Sequence, residues 1–418
     1  MSQYIDNVWF ERLMQHGKLS LPAAYLQDPQ KRAEQKKLFF SGEVRNPTLD
    51  YPSLGTFDIE NRMNKLRSLH DDVEKNEPLG FVKDAYMRSI QERLTFFEML
   101  ESTINRDFEK FNRLNEFAFS RPSDEITARI IPHVLDMIAQ AEASNNALAV
   151  EAAQKLKELI KNIPADHDNA LFGDYIHIEH ERVSAKQISE RFKTSLKENG
   201  IDDWRVKIDK HSLSSSIRIN NSHRIIHIPA TRTTNVVHLE ALVRHEIGVH
   251  ILRSKGAENG VLQLLTVGLD NYIRGDEGLS KYEEHQVFPS AFNVTLEMYL
   301  VTALVKGANG KPMDFRDAYE VFYNYYLVSK HGKSDLSEQS ARSHGWRRAS
   351  KLFRGTDGQQ TGICFTKDLV YLHGYLDLLK VIEENPDEQS RFYSGKYDPS
   401  NEFYIHVLNE LDALSKVS

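Results

Sequence analysis

The segment Arg244–His250, which reads RHEIGVH, places two histidines five positions apart within a stretch of helical periodicity. Residues four apart in a regular α-helix differ by about 40° around its axis, whereas residues five apart differ by about 140°. An undistorted helix would therefore direct His245 and His250 to different faces. A π-helical turn accommodates one extra residue and returns the pair to one face. We predict this departure from regular bonding near Gly248, where the absence of a side chain relieves crowding.

The acidic residues around this motif favour a metal site. Glu246 directly follows the first histidine, as in H-E-x-x-H zinc sites, where the glutamate is the general base. Downstream, Asp276 and Glu277 place two carboxylates beside a predicted helix start. Two histidines and one carboxylate are a known ligand set for catalytic zinc, which leaves a fourth position to water. In the alternative interpretation, the histidines are polar positions of an amphipathic helix and Glu246 faces solvent.

Apolar residues recur at intervals of three and four over most of the chain, which predicts helices on both sides of the motif. The clearest helical stretches are 61–160, 236–254, 291–305, 315–328, 338–353 and 366–383. Short segments immediately before the motif predict strands at Trp204–Ile208, Ser216–Ile219 and Ile225–Ile228. The predicted fold class is therefore mainly α with a small β-sheet, that is α+β.

We divide the chain into three regions on this pattern. Residues 1–165 form a helical N-terminal region, and residues 166–290 hold the small sheet and both metal motifs. Residues 291–418 form a helical C-terminal region that completes the catalytic unit. Within the histidine helix, the predicted buried stripe consists of Val236, Leu239, Val243, Ile247 and Ile251.

Composition excludes several classes of function. The net charge of -7 argues against nonspecific nucleic-acid binding. Cys364 is the single cysteine, so a metal must be held by His, Asp or Glu, and no intramolecular disulfide can form. The sequence has no secretory signal pattern and no segment near the roughly 18 apolar residues of a membrane span. These features predict a cytoplasmic protein, and they leave the oligomeric state open.

Four motifs follow one another in a specific order: RHEIGVH, DEGLS at 276–280, FRG at 353–355 and FTKDLVYLHG at 365–374. In this order the sequence resembles the microtubule-associated tyrosine carboxypeptidase family and its bacterial relatives, the QEGLA-motif proteins. The resemblance runs from about Asn46 to Leu379. HEIGVH is close to the family's HEIGTH, and DEGLS stands where QEGLA or EEGLA is usual. The departures at Val249, Asp276 and Ser280 remove no proposed ligand.

The resemblance implies a zincin-like metallopeptidase core that binds one zinc ion per chain. It makes His245, His250 and Glu277 the zinc ligands and Glu246 the general base. The implied activity is removal of one residue, tyrosine or an acidic residue, from the C-terminus of a protein or peptide. Eukaryotic members act on the C-terminal tyrosine of α-tubulin. No microtubule-binding segment is evident here, so that substrate is not carried over.

A carboxypeptidase also needs a donor for the developing oxyanion and a cation for the substrate's terminal carboxylate. Tyr371 is the candidate donor, and Lys367 lies four residues before it on one predicted helical face. Lys367, Arg354 and Arg253 compete for the carboxylate. For each of these residues the alternative is an ordinary packing or surface position.

Other charged residues have simpler interpretations. Asp276 is expected to cap the following helix rather than to bind metal. The cluster Glu283–His285 is expected to form a solvated helical face. The alternation of His177, Glu179, His180 and Glu181 fits an exposed strand edge better than a second metal site.

Two other functions remain open at this point. One is a zinc endopeptidase, which would cleave peptides whose C-terminus is blocked. The other is a low-turnover metal-binding regulatory protein that acts through a partner. Glu246 favours the enzyme, because a structural zinc site needs no general base and usually fills all four positions with protein ligands.

Overall fold

The computed structural model describes residues 4–171, 182–210, 217–288, 293–333 and 336–417. Helices dominate on both sides of the central region, as the apolar periodicity predicts. The N-terminal helices are α1 (Asn7–Gly17), α2 (Leu21–Ala24), α3 (Pro29–Ser41), α4 (Ile59–Asn76), α5 (Gly80–Ile104), α6 (Phe108–Phe119), α7 (Asp124–Glu142) and α8 (Ala147–Ile160).

The central and C-terminal parts of the chain contain strands as well as helices. The strands are β1 (Arg182–Ser184), β2 (Arg205–Asp209), β3 (Arg218–Asn220), β4 (Ile225–Pro229) and β5 (Thr233–Asn235). The remaining helices are α9 (Ala185–Glu198), α10 (Val236–Val243), α11 (Leu252–Glu258), α12 (Tyr272–Val287), α13 (Asn293–Val305), α14 (Phe315–Ser329), α15 (Glu338–Leu352), α16 (Leu369–Glu384) and α17 (Glu402–Val417). A π-helix, Arg244–Ile251, joins α10 to α11 without a break.

Side-chain caps mark where many of these helices begin. Ser123 accepts a hydrogen bond from the Ile126 amide at the start of α7. Ser184 and Gln187 form a reciprocal capping box at the start of α9. Such caps satisfy backbone N–H groups that have no partner within the helix. They fix the helix boundaries independently of the core.

The strands form two small sheets rather than the single sheet predicted. In one sheet the order is β2-β4-β3, with β4 parallel to β2 and antiparallel to β3. The second sheet is the antiparallel pair β1 and β5, which the sequence did not reveal. The fold class is nevertheless α+β with helix in large excess.

The three-stranded sheet supports the helix that carries the histidines. Ile226 and Ile228 of β4 belong to one apolar cluster with Phe192 of α9 and with Ile247 and Ile251 of the π-helix. The predicted buried stripe is confirmed at Leu239, Val243, Ile247 and Ile251. It is wrong at Val236, which begins α10 and is 48% exposed.

A larger apolar core extends through both helical portions of the chain. It includes Leu66, Phe97 and Ile138 from the N-terminal helices, and Leu300 and Leu372 from the C-terminal helices. The two helical portions therefore share buried surface and support the central region together. Among the described helices, none is long and apolar enough to cross a membrane. His177, Glu179, His180 and Glu181 lie outside the described residues.

Candidate metal centre and active site

The motif RHEIGVH adopts the distorted helix that its spacing predicts. Residues Arg244–Ile251 form a π-helix, so the departure from α-helical bonding covers the whole motif rather than a single turn. The rings of His245 and His250 lie on one side, with centroids 4.8 Å apart and planes at 84°. A Cβ added at Gly248 would meet only ordinary van der Waals contacts, the nearest at 3.8 Å. The distortion therefore does not depend on space that only glycine provides.

Glu277 of α12 faces both histidines. Its Oε2 atom lies 3.5 Å from Nε2 of His245 and 3.8 Å from Nε2 of His250. This oxygen is buried and has no hydrogen-bond partner among the described residues. Glu246 is also close, since its carboxylate and the two imidazoles place their ligand atoms within 4.8 Å of one another. Two nitrogens and a carboxylate oxygen are donors that suit a catalytic zinc ion.

The opposite ring nitrogens of the two histidines are held by carboxylates. Nδ1 of His245 lies 2.5 Å from Oε1 of Glu284, and Nδ1 of His250 lies 2.7 Å from Oδ2 of Asp276. A carboxylate on one ring nitrogen fixes the tautomer and orientation of the imidazole and leaves the other nitrogen for a metal. Both Nε2 atoms are therefore presented toward Glu277.

These contacts correct two predictions. Asp276 is not a helix cap, because α12 begins at Tyr272 and Asp276 lies one turn inside it, buried against His250. Glu284 is not on a solvated face, because it is only 8% exposed. Glu284 follows Glu277 by seven positions, which places them on the same face of α12, toward the π-helix. That spacing was the available signal for Glu284.

Comparison with known protein families identifies the family of this chain. The family described as Microtubule-associated tyrosine carboxypeptidase matches residues 36–418. The chain belongs to this family. Membership indicates a carboxypeptidase, so the peptidase class predicted from the motifs is confirmed. No curated protein matches the chain.

The carboxyl groups of Glu277 and Glu246 differ in their tendency to ionise. Burial opposes ionisation of Glu277, but the adjacent His245 imidazole and the charges of His250 and Lys367 outweigh it and lower its pKa to about 2. For Glu246, burial raises the pKa, and the opposing charges of His245 and His250 do not cancel that effect. Glu277 is thus the more strongly ionised group.

Glu284 and Asp276, the carboxylates that contact Nδ1 of the two histidines, each lie beside a cationic side chain. Burial opposes ionisation of Glu284, but the Lys281 charge and the His245 hydrogen bond lower its pKa to about 2. Nζ of Lys281 lies 2.6 Å from Glu284. Asp276 is contacted by Arg253 at 3.0 Å and by Lys396 at 3.6 Å. Lys281 and Lys396 were not predicted, because no motif marks either lysine.

The structure brings Tyr371 and Lys367 near Glu277. Burial, together with the charge of Glu277 and a hydrogen bond to it, raises the pKa of Tyr371 well above its ordinary value, so the phenol remains protonated. Lys367 precedes α16 in a 3₁₀ turn rather than within the predicted α-helix, and its charge favours ionisation of Glu277. Arg354 lies near Asp368 and Tyr51, and burial lowers the pKa of its guanidinium against the favourable charge of Asp368.

Arg253 does not have the predicted position for binding a substrate carboxylate. Its side chain is 0% exposed, and its three guanidinium nitrogens donate to protein oxygens. Arg232, which the sequence did not suggest, lies near Glu246, and burial lowers its pKa against the favourable charge of that carboxylate. It lies in the short β4–β5 connection, which carries no recognisable motif.

Proposed function

We propose that this protein is a zinc-dependent carboxypeptidase that removes the C-terminal residue of a protein or peptide. One observation carries the proposal: Nε2 of His245 and Nε2 of His250 both face Oε2 of Glu277. Within the described part of the chain that buried oxygen has no hydrogen-bond partner. A buried carboxylate oxygen without a partner is costly, and a cation held by these three donors would remove the cost.

Glu277 suits the role of third ligand better than Glu246. A zinc ligand must be deprotonated, and Glu277, with its pKa lowered to about 2, is ionised at neutral pH. A general base works best when its pKa lies closer to the working pH. Burial moves the pKa of Glu246 in that direction. The two glutamates therefore divide the roles of ligand and base.

The reaction assigned to these residues is hydrolysis of a peptide bond. A zinc ion at this position would supply Lewis-acid activation of water and of the scissile carbonyl. Glu246 accepts the proton of the attacking water and delivers it to the departing amine, which leaves as the released residue. This role is supported by the position of Glu246, whose carboxylate oxygen lies within 4.8 Å of a ring nitrogen of each histidine.

Tyr371 supports the same chemistry as a hydrogen-bond donor. Its phenol contacts Glu277 and keeps its proton, because burial and nearby carboxylates raise its pKa. A neutral phenol beside the ligands can donate to the substrate oxygen as negative charge develops there. A donor of this kind typically contributes a factor of about a hundred or more in rate.

Lys367 is our candidate for the substrate's terminal carboxylate. It is half-buried, its charge reaches Glu277, and no described carboxylate lies within salt-bridge distance of its ammonium. The neighbouring Lys351 pairs with Asp368 at 2.6 Å instead. Recognition of a free carboxylate restricts cleavage to the chain end. The family description names tyrosine, which makes a C-terminal tyrosine the first substrate to test and an acidic residue the second.

Metal analysis combined with peptide hydrolysis tests the proposal. The purified protein should contain about one zinc per chain, lose hydrolysis on chelation and recover it when zinc is restored. The same peptide with an amidated C-terminus should resist cleavage, because Lys367 has no carboxylate to bind. Full hydrolysis by metal-free protein, or cleavage of the amidated peptide at an equal rate, would contradict the assignment.

A further inference from the structure

The guanidinium of Arg253 is fully buried, and each of its three nitrogens donates to a protein oxygen. Its Nε donates to the carbonyl of Phe392 at 2.9 Å, and one Nη donates to the carbonyl of Tyr397 at 2.7 Å. The other Nη donates to Oδ1 of Asp276 at 3.0 Å. Arg253 lies in α11, three residues and about one helical turn after His250. One side chain thereby joins three segments of the protein.

Asp276 links this guanidinium to the metal centre. Its Oδ1 accepts from Arg253, while its Oδ2 lies 2.7 Å from Nδ1 of His250. Both carboxylate oxygens are thus occupied, and the carboxylate has little freedom to rotate. Lys396, itself 4% exposed, approaches Oδ2 at 3.6 Å. The carboxylate of Asp276 thus orients His250 through one oxygen, while Arg253 binds the other oxygen.

The segment 392–397, here termed the C-terminal turn, is tightly docked on this assembly. Its Lys396 amide donates to the Leu265 carbonyl at 2.9 Å, and its Lys396 carbonyl accepts from the Leu269 amide at 3.0 Å. A Cβ added at Gly256 of α11 would lie 1.7 Å from the Tyr393 carbonyl oxygen. Backbone therefore packs directly on backbone beside Arg253. A shift of the turn would move the two carbonyl groups to which Arg253 donates.

We propose that Arg253 is a positioning residue of the metal centre, acting through Asp276 on His250, and that it makes the C-terminal turn part of that centre. This inference rests on the zinc site proposed above. A planar guanidinium can satisfy three acceptors in fixed directions, whereas a lysine ammonium keeps the charge but not this geometry. Loss of an outer partner of a metal-binding histidine typically weakens metal affinity by about 10–100-fold.

The variant Arg253→Lys tests this role at constant charge. We expect zinc affinity, measured by competition with a chelator, to fall by about 10–100-fold. At saturating zinc, kcat should recover and KM should stay unchanged, which a general structural defect would not show. The matched control is Arg191→Lys, because Arg191 binds Glu240 through two hydrogen bonds at 2.7 and 2.9 Å on the helix before the π-helix. Its zinc affinity should be unchanged.

Hydrogen exchange of the unmodified protein provides a second measurement if Arg253→Lys fails to fold. Adding zinc to the chelated protein should increase amide protection in peptides that contain residues 392–397. Unchanged protection there would overturn the inference, as would equal zinc affinity in Arg253→Lys and the unmodified protein. An increased KM at unchanged zinc affinity would also overturn it and would return Arg253 to substrate binding. Absence of zinc binding by the unmodified protein would instead refute the proposed function together with this inference.

Discussion

Gly278 and Gly374 are in direct backbone contact where α12 crosses α16. A Cβ added at Gly278 would lie 2.3 Å from the carbonyl carbon of Gly374. This crossing brings Glu277, the residue before Gly278, next to Tyr371 on α16. The close approach of the two helices is therefore a condition for assembling the site.

Replacing Gly374 by alanine should separate these helices. The new Cβ would lie 2.0 Å from the Arg274 carbonyl oxygen, a contact that only backbone movement can relieve. We expect a loss of about 1–3 kcal/mol in the free energy of unfolding, measured with urea. Gly248→Ala is the control, because its Cβ meets nothing closer than 3.8 Å, and it should stay within about 1 kcal/mol of the unmodified protein. Equal stability of the two variants would contradict this account of the crossing.

The variant Glu246→Gln should abolish the proton transfer while preserving the metal ligands. The amide has nearly the same shape but cannot accept the proton of the attacking water. We expect kcat to fall by about 10²–10⁴-fold with zinc content unchanged. Glu240→Gln is a suitable control, since the partner of Glu240 is Arg191 of α9 rather than a residue of the proposed metal centre. Hydrolysis at an undiminished rate by Glu246→Gln would remove Glu246 from the mechanism.

Lys367→Met should weaken binding of peptides that end in a free carboxylate. A hydrogen bond to a charged group contributes about 1.5–3 kcal/mol, so kcat/KM should fall roughly 10–100-fold, mostly through KM. Arg354→Met provides the comparison, because Arg354 neighbours Asp368 and Tyr51 rather than the ligands. Steady-state kinetics on one peptide series measures both variants. A larger increase in KM for Arg354→Met than for Lys367→Met would assign the carboxylate to Arg354.

His373 should make the stability of the protein depend on pH. Burial and the charge of Arg274 lower its pKa to about 4 from an ordinary value near 6.5. Between these two pH values the unfolded chain binds a proton that the folded chain does not. The contribution of neutral His373 to the free energy of unfolding is therefore complete above pH 6.5 and is lost as the pH falls toward 4. The loss is on the order of 3 kcal/mol.

The variant His373→Gln isolates this contribution. Urea unfolding at several pH values between 4 and 7 should show a flatter decline than that of the unmodified protein. The exposed His406 provides a control, since its replacement by Gln should leave the original slope unchanged. Identical slopes for His373→Gln and the unmodified protein would contradict the buried, neutral state of His373.

The inner part of the site could be predicted because its constraints are local. The five-residue spacing of His245 and His250 requires a widened helix, and a π-helix is present. The spacing of Glu284 from Glu277 could also have predicted that both face the histidines. The charged neighbours of Glu284 favoured a solvated face instead. For a single sequence, a run of charges does not show which member is buried.

The outer contacts could not be predicted because they depend on distant segments. Arg253 was expected near the substrate, since its place one turn after His250 does not reveal the C-terminal turn that encloses it. Lys396 reaches Asp276 only through the packing of that turn. Strands β1 and β5 have three residues each, too few for a recognisable alternation. Their pairing depends on tertiary structure.

Mass spectrometry of a C-terminal peptide library, before and after incubation with the zinc-loaded protein, tests the central claim most directly. Susceptible peptides should lose a single C-terminal residue, their amidated counterparts should stay intact, and Glu246→Gln should leave both sets unchanged. Products cut at internal bonds, or an unchanged library after incubation with the zinc-loaded protein, would contradict this claim.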